Sequence, residues 1–393
     1  MERRAGFGPK RRGTVPPMSD DHASPPPAHR PLEGIRVLDV SRYLPGPFCS
    51  LNLAWLGASV TVVEQPPHGD PLRTLPPVGD DGLSLAYRSL RRDMEVELLD
   101  LGDGDDLARF LQLADEADVF VESFRPGVTT RLGIGAEQLR ARNARLVYCS
   151  LSGYGQTGPW AQAPGHDIGY ESVAGLLEQT GTRDEVAMPP VPLADLAGGQ
   201  SAATAICAAL LRRATSGDGC VLDISLTEAA LALQSMHLPG AQLEPANRRA
   251  SGLLTGGFAC YRPYRCADGE WLSIGPIEPK FFHSLCTALE RPDLVELQYQ
   301  PAEQRRLRTE LETIFAARDA AAWEQLLVGD AGGDACVVRV LHPSEVAAHP
   351  QVVARGAVLP LPGSDVAHMP ASPYVIDGVR HDPASAAAGG ARS

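Results

Sequence analysis

Gly34-Ile35-Arg36-Val37-Leu38-Asp39-Val40, then Pro45-Gly46-Pro47 with a helical run through Leu53 and Leu56, then Gly57 and Val60-Thr61-Val62-Val63-Glu64, is the stretch that decides the fold. A short apolar strand, a helix, a glycine stop and a second strand make a βαβ unit of a parallel sheet. The loop after the first strand has no GxGxxG, so no dinucleotide site is expected. The alternation continues with a helix over Asp105 to Ala114, a strand at Asp118-Val119-Phe120-Val121, a helix near Ala136 to Ala141 and a strand at Leu146-Val147-Tyr148-Cys149. This pattern predicts a doubly wound α/β domain. Farther on, Gly198 to Leu211 reads as an alanine-rich buried helix, Cys220 to Ser225 as a strand and Glu228 to Met236 as a helix.

The texture changes beyond that point. Residues 237–255 are polar and irregular and read as a linker. Phe258-Ala259-Cys260-Tyr261 and Glu270-Trp271-Leu272-Ser273-Ile274-Gly275 look like antiparallel strands around the Asp268-Gly269 turn, with helices at Lys280 to Leu289, Arg305 to Phe315 and Ala321 to Leu327. The expected organisation is a large domain over 32–236 and 341–380 and a small α+β domain over 256–340. Residues 1–31, with Arg3, Arg4, Lys10, Arg11, Arg12 and Pro25-Pro26-Pro27, and residues 381–393 are expected to be disordered. The first segment has no apolar core for a secretory signal, and Met18 offers an alternative start.

The chain has 393 residues, is 44% hydrophobic and carries a net charge of -13, so it can bury a sizeable core but has no basic footprint for nucleic acid. No apolar run approaches the roughly 20 residues of a membrane span, so no membrane partner is expected. The eight cysteines lack the spacing of a zinc knuckle or a redox CxxC. They read as reduced thiols of a cytoplasmic protein.

Two places carry candidate chemistry. Pro164-Gly165-His166-Asp167-Ile168-Gly169-Tyr170 puts a histidine where a loop meets a helix start, and Asp195 lies at a second helix start. Free amides and the positive dipole end collect there, which suits proton removal from carbon with the enolate held nearby. Buried histidines and N-cap aspartates are common, so position alone leaves this pair open. The second place is Glu122-Ser123-Phe124-Arg125-Pro126-Gly127-Val128-Thr129-Thr130-Arg131, just past a strand end. Arg125 and Arg131 there are either phosphate ligands or solvated surface groups.

The motifs Gly34-Ile35-Arg36-Val37-Leu38-Asp39, Leu56-Gly57-Ala58, Gly69-Asp70, Phe124-Arg125-Pro126-Gly127, Ser152-Gly153-Tyr154-Gly155-Gln156-Thr157-Gly158-Pro159, Asp195 and Ala354-Arg355-Gly356 resemble those of the family III CoA-transferases. Gly165-His166-Asp167 with Tyr170, and Ile277-Glu278-Pro279 before Phe281-Phe282, look like the α-methylacyl-CoA racemase branch. The resemblance implies an interlocked homodimer, each subunit with a large Rossmann-like CoA-binding domain and a small domain. It implies an acyl-CoA thioester substrate, a role in lipid metabolism, and no metal or separate cofactor, CoA being part of the substrate. His166 and Asp195 would be the acid/base groups on either side of the α-carbon, with Glu278 reaching across from the partner subunit to orient the histidine. Arg125 and Arg131 would lie near the CoA phosphates, Arg91 and Arg92 along the adenine and pyrophosphate region, and Ser123, Phe124, Gly165 and Tyr170 in the same site.

Inverting a stereocentre beside a thioester needs two groups on opposite faces, and this resemblance supplies them. The alternative is CoA transfer between carboxylic acids with Asp167 as nucleophile, which His166 and Glu278 do not serve. A non-catalytic acyl-CoA-binding homologue is a third reading. Two departures stand out: Gln65 follows Glu64 where the racemase branch tends to have a basic residue, and the interval from His166 to Asp195 is one residue short. Gln65 favours the third reading. Branched fatty, bile-acid-type and arylpropionyl chains are all compatible.

Overall fold

The computed structural model describes residues 30–243, 249–328 and 334–382. The terminal segments expected to be disordered fall outside these residues except at their inner edges. The strands are β1 (Arg36–Asp39), β2 (Ser59–Glu64), β3 (Glu95–Leu98), β4 (Val119–Glu122), β5 (Val147–Ser152), β6 (Cys220–Ser225), β7 (Arg262–Arg265), β8 (Trp271–Ile274), β9 (Val337–Arg339), β10 (Val358–Pro360), β11 (His368–Pro370), β12 (Val375–Ile376) and β13 (Val379–Arg380). The helices are α1 (Pro45–Trp55), α2 (Leu85–Leu90), α3 (Gly104–Glu116), α4 (Val128–Arg131), α5 (Ala136–Arg142), α6 (Asp167–Val173), α7 (Leu193–Ser216), α8 (Leu226–Ala232), α9 (Leu238–Leu243), α10 (Pro279–Ala288), α11 (Gln304–Phe315), α12 (Ala320–Val328) and α13 (Pro350–Ala354).

The first six strands form one parallel sheet in the order β3-β2-β1-β4-β5-β6. Alternation along β1 shows why helices cover both faces: Val37 enters one core with Val60, Val62 and α7, while Leu38 enters another with Phe110, Phe120 and Tyr148. The strand order reverses between β1 and β4. That opens a crevice beyond the carboxyl ends of these two strands, the usual ligand position in such sheets.

Helix α7 begins at Leu193, five residues before the expected Gly198, so Asp195 sits in its first turn. At 24 residues it is also long and apolar enough to cross a membrane, contrary to the expectation from the sequence. Here it packs as a core helix. A Cβ on Gly199 would come within 2.5 Å of the Pro45 carbonyl oxygen, and one on Gly198 within 2.2 Å of Leu226.

A second core gathers β7, β8, β9, α10, α11 and α12, with Tyr264, Leu272, Phe282, Phe315 and Trp323 buried together. Its sheet is antiparallel. Residues 258–261 are not a strand, because side chains bind their backbone: Ala259 N–H donates to Gln304 Oε1 at 2.9 Å and Tyr264 O–H donates to the Ala259 carbonyl at 2.7 Å. The segment expected to be an irregular linker contains α9 and a 3-10 turn at Leu253–Thr255. The tail returns to the first sheet's helices, where Tyr374 O–H donates to Asn52 at 2.7 Å. All eight cysteines are free.

Candidate active site

The loop after β5 turns back over the sheet edge to start α6, with His166 as its N-cap residue in extended backbone. Tyr170, one turn later, points inward and is wedged between two glycine backbones. A Cβ on Gly153 would lie 2.3 Å from the Tyr170 ring and one on Gly165 would lie 2.6 Å from it. Tyr154 stacks edge-on against Tyr170 and Trp160, both at 5.2 Å. Gly165 therefore acts by allowing the ring's close approach, which fixes the chain just ahead of His166.

His166 is exposed and lines a cavity of about 310 Å³ together with Asp167, Ile168, Glu171, Met188, Pro189, Pro190, Val191 and Pro192. Asp195 joins through the backbone: its N–H donates to Asp167 Oδ1 at 3.0 Å. Glu171 Oε1 accepts from Leu193 N–H at 3.1 Å. Pro192 at the N-cap of α7 has no capping side chain, so two carboxylates from α6 satisfy the first-turn amides instead. This explains why the helix starts early.

The price of that arrangement is three acids close together with no cation paired to them among the described residues. Burial, and then the charges of Asp167 and Glu171, push the Asp195 carboxyl up to about 7. Burial and the facing Asp167 carboxylate likewise push Glu171 up to about 7. The Tyr170 hydroxyl is pushed up to about 12 by burial and by Asp195, with Arg125 opposing. An acid pushed up to about 7, tied through its amide to the residue that follows an exposed histidine at a helix start, is of the kind that can move a proton.

Residues 32–387 match CoA-transferase family III. The chain belongs to that family. It is 34% identical over 344 residues to human alpha-methylacyl-CoA racemase, covering 86% of this chain and 85% of the relative. It is also 33% identical over 307 residues to mouse succinyl-CoA:glutarate CoA-transferase, covering 76% and 70%. Among solved structures, Rv3272 from Mycobacterium tuberculosis matches with TM-score 0.74 and 30% identity over 90% of this chain and 96% of that one. A Brucella suis CAIB/BAIF family protein matches in fold with TM-score 0.78 at 24% identity, over 92% and 99%.

In this family III chain the loop after β4 reaches the same region. Gln162 donates to the Pro126 carbonyl at 3.0 Å, tying the segment before His166 to the loop that carries Arg125. Arg125 and Arg131 are exposed, and among the described residues neither forms an ion pair. Ser123 Oγ accepts from Arg42 N–H at 3.1 Å across the β1/β4 crevice, and the Arg42 guanidinium lies over the Phe124 ring at 5.4 Å.

Arg91 and Arg92 lie inside the fold. Their side chains are 1% and 2% exposed, with Arg91 bound to Asp39 and Arg92 to Asp382 at 3.3 Å and the Pro370 carbonyl at 2.9 Å. Buried guanidiniums paired with carboxylates in this way hold elements of the fold together, although Nε of each has no hydrogen-bond partner among the described residues. Glu278 is the exposed N-cap residue of α10, its side chain makes no capping bond, its charge acts on Tyr299 and Cys336, and it does not line the His166 cavity. Gln65 is exposed and bonds Asp100.

Two side chains escaped the sequence reading. Arg42 had no motif to mark it, only its place three residues beyond the Asp39 that ends β1. Glu171 had a visible signal, the i, i+4 spacing from Asp167 that puts both acids on one helix face.

Proposed function

We propose that the protein is an acyl-CoA racemase or epimerase that inverts the α-methyl stereocentre of 2-methylacyl-CoA thioesters by transfer of a proton off and back onto the same carbon. The observation that carries this reading is the junction of α6 and α7, where Asp195, its carboxyl pushed up to about 7, is tied through its amide to Asp167, the residue that follows the exposed His166. In one direction neutral His166 takes the α-proton, leaving an enolate, and the Asp195 carboxylic acid delivers a proton to the opposite face. In the other, the Asp195 carboxylate takes the proton and imidazolium delivers one. The Asp167 amide, first in α6 and without an intrahelical acceptor, is the donor assigned to the enolate oxygen.

Arg125 and Arg131, with Arg42 across the crevice, supply positive charge for the CoA phosphates. Family likeness supports an interlocked homodimer in which Glu278 of the partner subunit completes the histidine's surroundings.

CoA transfer with Asp167 as nucleophile is the second reading. It is favoured by the position of Asp167 on the cavity and by the transferase relative at nearly the same identity as the racemase. Against it, Asp167 Oδ1 is occupied by the Asp195 amide, and an acid faces Asp167 from Glu171. Incubation of the pure protein with one 2-methylacyl-CoA enantiomer in D2O, free carboxylic acids absent, tests the choice. Deuterium at the α-carbon with inversion is expected. Absence of exchange, with CoA moving once a carboxylic acid is added, would replace the racemase reading by the transferase one.

A further inference from the structure

Glu171 is completely buried in a seven-residue helix, yet nothing donates to its second oxygen. Oε1 accepts from Leu193 N–H at 3.1 Å, while Oε2 is withdrawn from water without a hydrogen-bond partner. The group facing it is the carboxylate of Asp167, one helical turn away. Two carboxylates cannot bond each other unless one carries a proton, and leaving both charged inside a protein is costly. A proton on Glu171 resolves the contradiction: Oε2–H donates to Asp167, whose other commitment is the amide of Asp195.

We propose that Glu171 is a positioning residue that holds a proton shared with Asp167, and that this acid pair clamps the first turn of α7 and thereby sets Asp195. The clamp has two contacts, Glu171 to the first amide of α7 and Asp167 to the third. Protonation keeps the trio at no more than two negative charges when Asp195 ionises, so Asp195 can serve both as acid and as base. No other charged group substitutes for this. Among the elements packed on α6, α7 contributes Asp195, α8 carries Glu228, which is exposed, and the turn at Leu177–Gln179 carries Glu178, which pairs with Arg249 at 2.8 Å. His166 shares the cavity, and Arg125 acts on Tyr170.

The inference rests on the proposed role of Asp195, so its test begins with a readout that needs no substrate. Carboxyl 13C NMR titration of the full-length protein is compared for wild type, Glu171→Gln, Glu171→Leu and Asp195→Asn, the variants assigning each signal by its loss. Glu171 is expected to titrate well above the ordinary glutamate value of about 4.3. In Glu171→Gln, whose amide accepts from Leu193 and donates to Asp167 as the protonated acid does, the Asp195 midpoint stays close to its wild-type position and the α7 amides of Leu193 and Asp195 keep their hydrogen-exchange protection. In Glu171→Leu that protection is lost.

Where wild type exchanges the α-proton, Glu171→Gln should stay within about 3-fold of it and Glu171→Leu should fall at least about 10-fold, the equivalent of one charge-assisted hydrogen bond. Glu171 titrating in the ordinary carboxylate range, or Glu171→Gln losing protection at Leu193 and Asp195, overturns the proposal. Should Glu171→Leu fail to fold, the wild-type and glutamine titrations still decide it. A wild type inert towards every acyl-CoA removes the racemase reading, whereas the shared proton stands or falls on the titration alone.

Discussion

Asp39 at the end of β1 is buried, Asp195 in the first turn of α7 is half-buried, and their surroundings are opposite. Asp39 accepts from Ser50 Oγ at 2.6 Å and from Ser41 N–H at 2.7 Å, and is ion-paired with the buried Arg91. Every lone pair has a donor and the charge has a counter-charge. Asp195 has two acids as its charged neighbours, and burial pushes its proton affinity up further. A fully satisfied acid holds elements together, whereas an acid packed among acids is held ready to exchange a proton. Only the neighbours tell the structural carboxylate from the reactive one.

Breaking the satisfied side should cost the most stability. Arg91→Leu leaves Asp39 charged and unpaired in the interior and should destabilise by about 3–5 kcal/mol, measured by denaturant unfolding. The double variant Asp39→Asn/Arg91→Leu should recover part of that loss, and a single variant as stable as wild type would mean the pair is not what secures β1 to the segment after α2. On the reactive side the expected pattern reverses. Asp195→Asn should lose about 10²- to 10⁴-fold in α-proton exchange, with stability unchanged near about pH 3, raised a little at about pH 5 and raised most at about pH 8.

The sign follows from the raised carboxyl. A folded-state value near 7 means the folded protein keeps a proton that the unfolded chain has already released, so its contribution is full below about pH 4 and is lost as pH rises through about 7.

Glu122 sharpens the comparison because it is an unpaired acid away from the cavity. It is 2% exposed at the end of β4, and burial pushes it up to about 7 although Phe124 N–H donates to it at 2.8 Å. Glu122→Gln should gain about 3 kcal/mol at pH 8 and less than about 1 kcal/mol at pH 5, with exchange activity retained. Loss of activity there would move Glu122 to the reactive side. The smallest effect belongs to Arg125→Ala, which should raise KM about 10-fold with little change in kcat, because a phosphate contact far from the reacting carbon binds ground and transition states alike. A pure kcat effect would place Arg125 at the chemistry.

The parallel sheet was legible because its signal is local and repeated. β1, α1 and β2 follow one another within a single stretch, and the alternation of Val37 and Leu38 assigns them to separate cores. Segment 258–261 misled because a β-like composition is overridden when distant side chains, Gln304 and Tyr264, take the backbone groups a ladder would use. The start of α7 was missed for the same reason, since its caps lie more than 20 residues away on α6.

Arg91 and Arg92 show the limit most clearly. Their ion pairs with Asp39 and Asp382 join residues 52 and 290 positions apart, which no local pattern in the sequence marks. His166, Asp167, Gly165 and Tyr170 were found because they are contiguous, whereas Glu171 gains meaning only once its orphaned oxygen is seen against Asp167.

The most direct test of two opposed bases is single-turnover deuterium uptake from D2O by each enantiomer of a 2-methylacyl-CoA, using wild type, His166→Ala and Asp195→Asn. Wild type should label and invert both enantiomers. His166→Ala should stop labelling one and Asp195→Asn the other, with inversion abolished in each. Labelling of both enantiomers by either variant, or no labelling by wild type while CoA passes to an added carboxylic acid, would contradict the account.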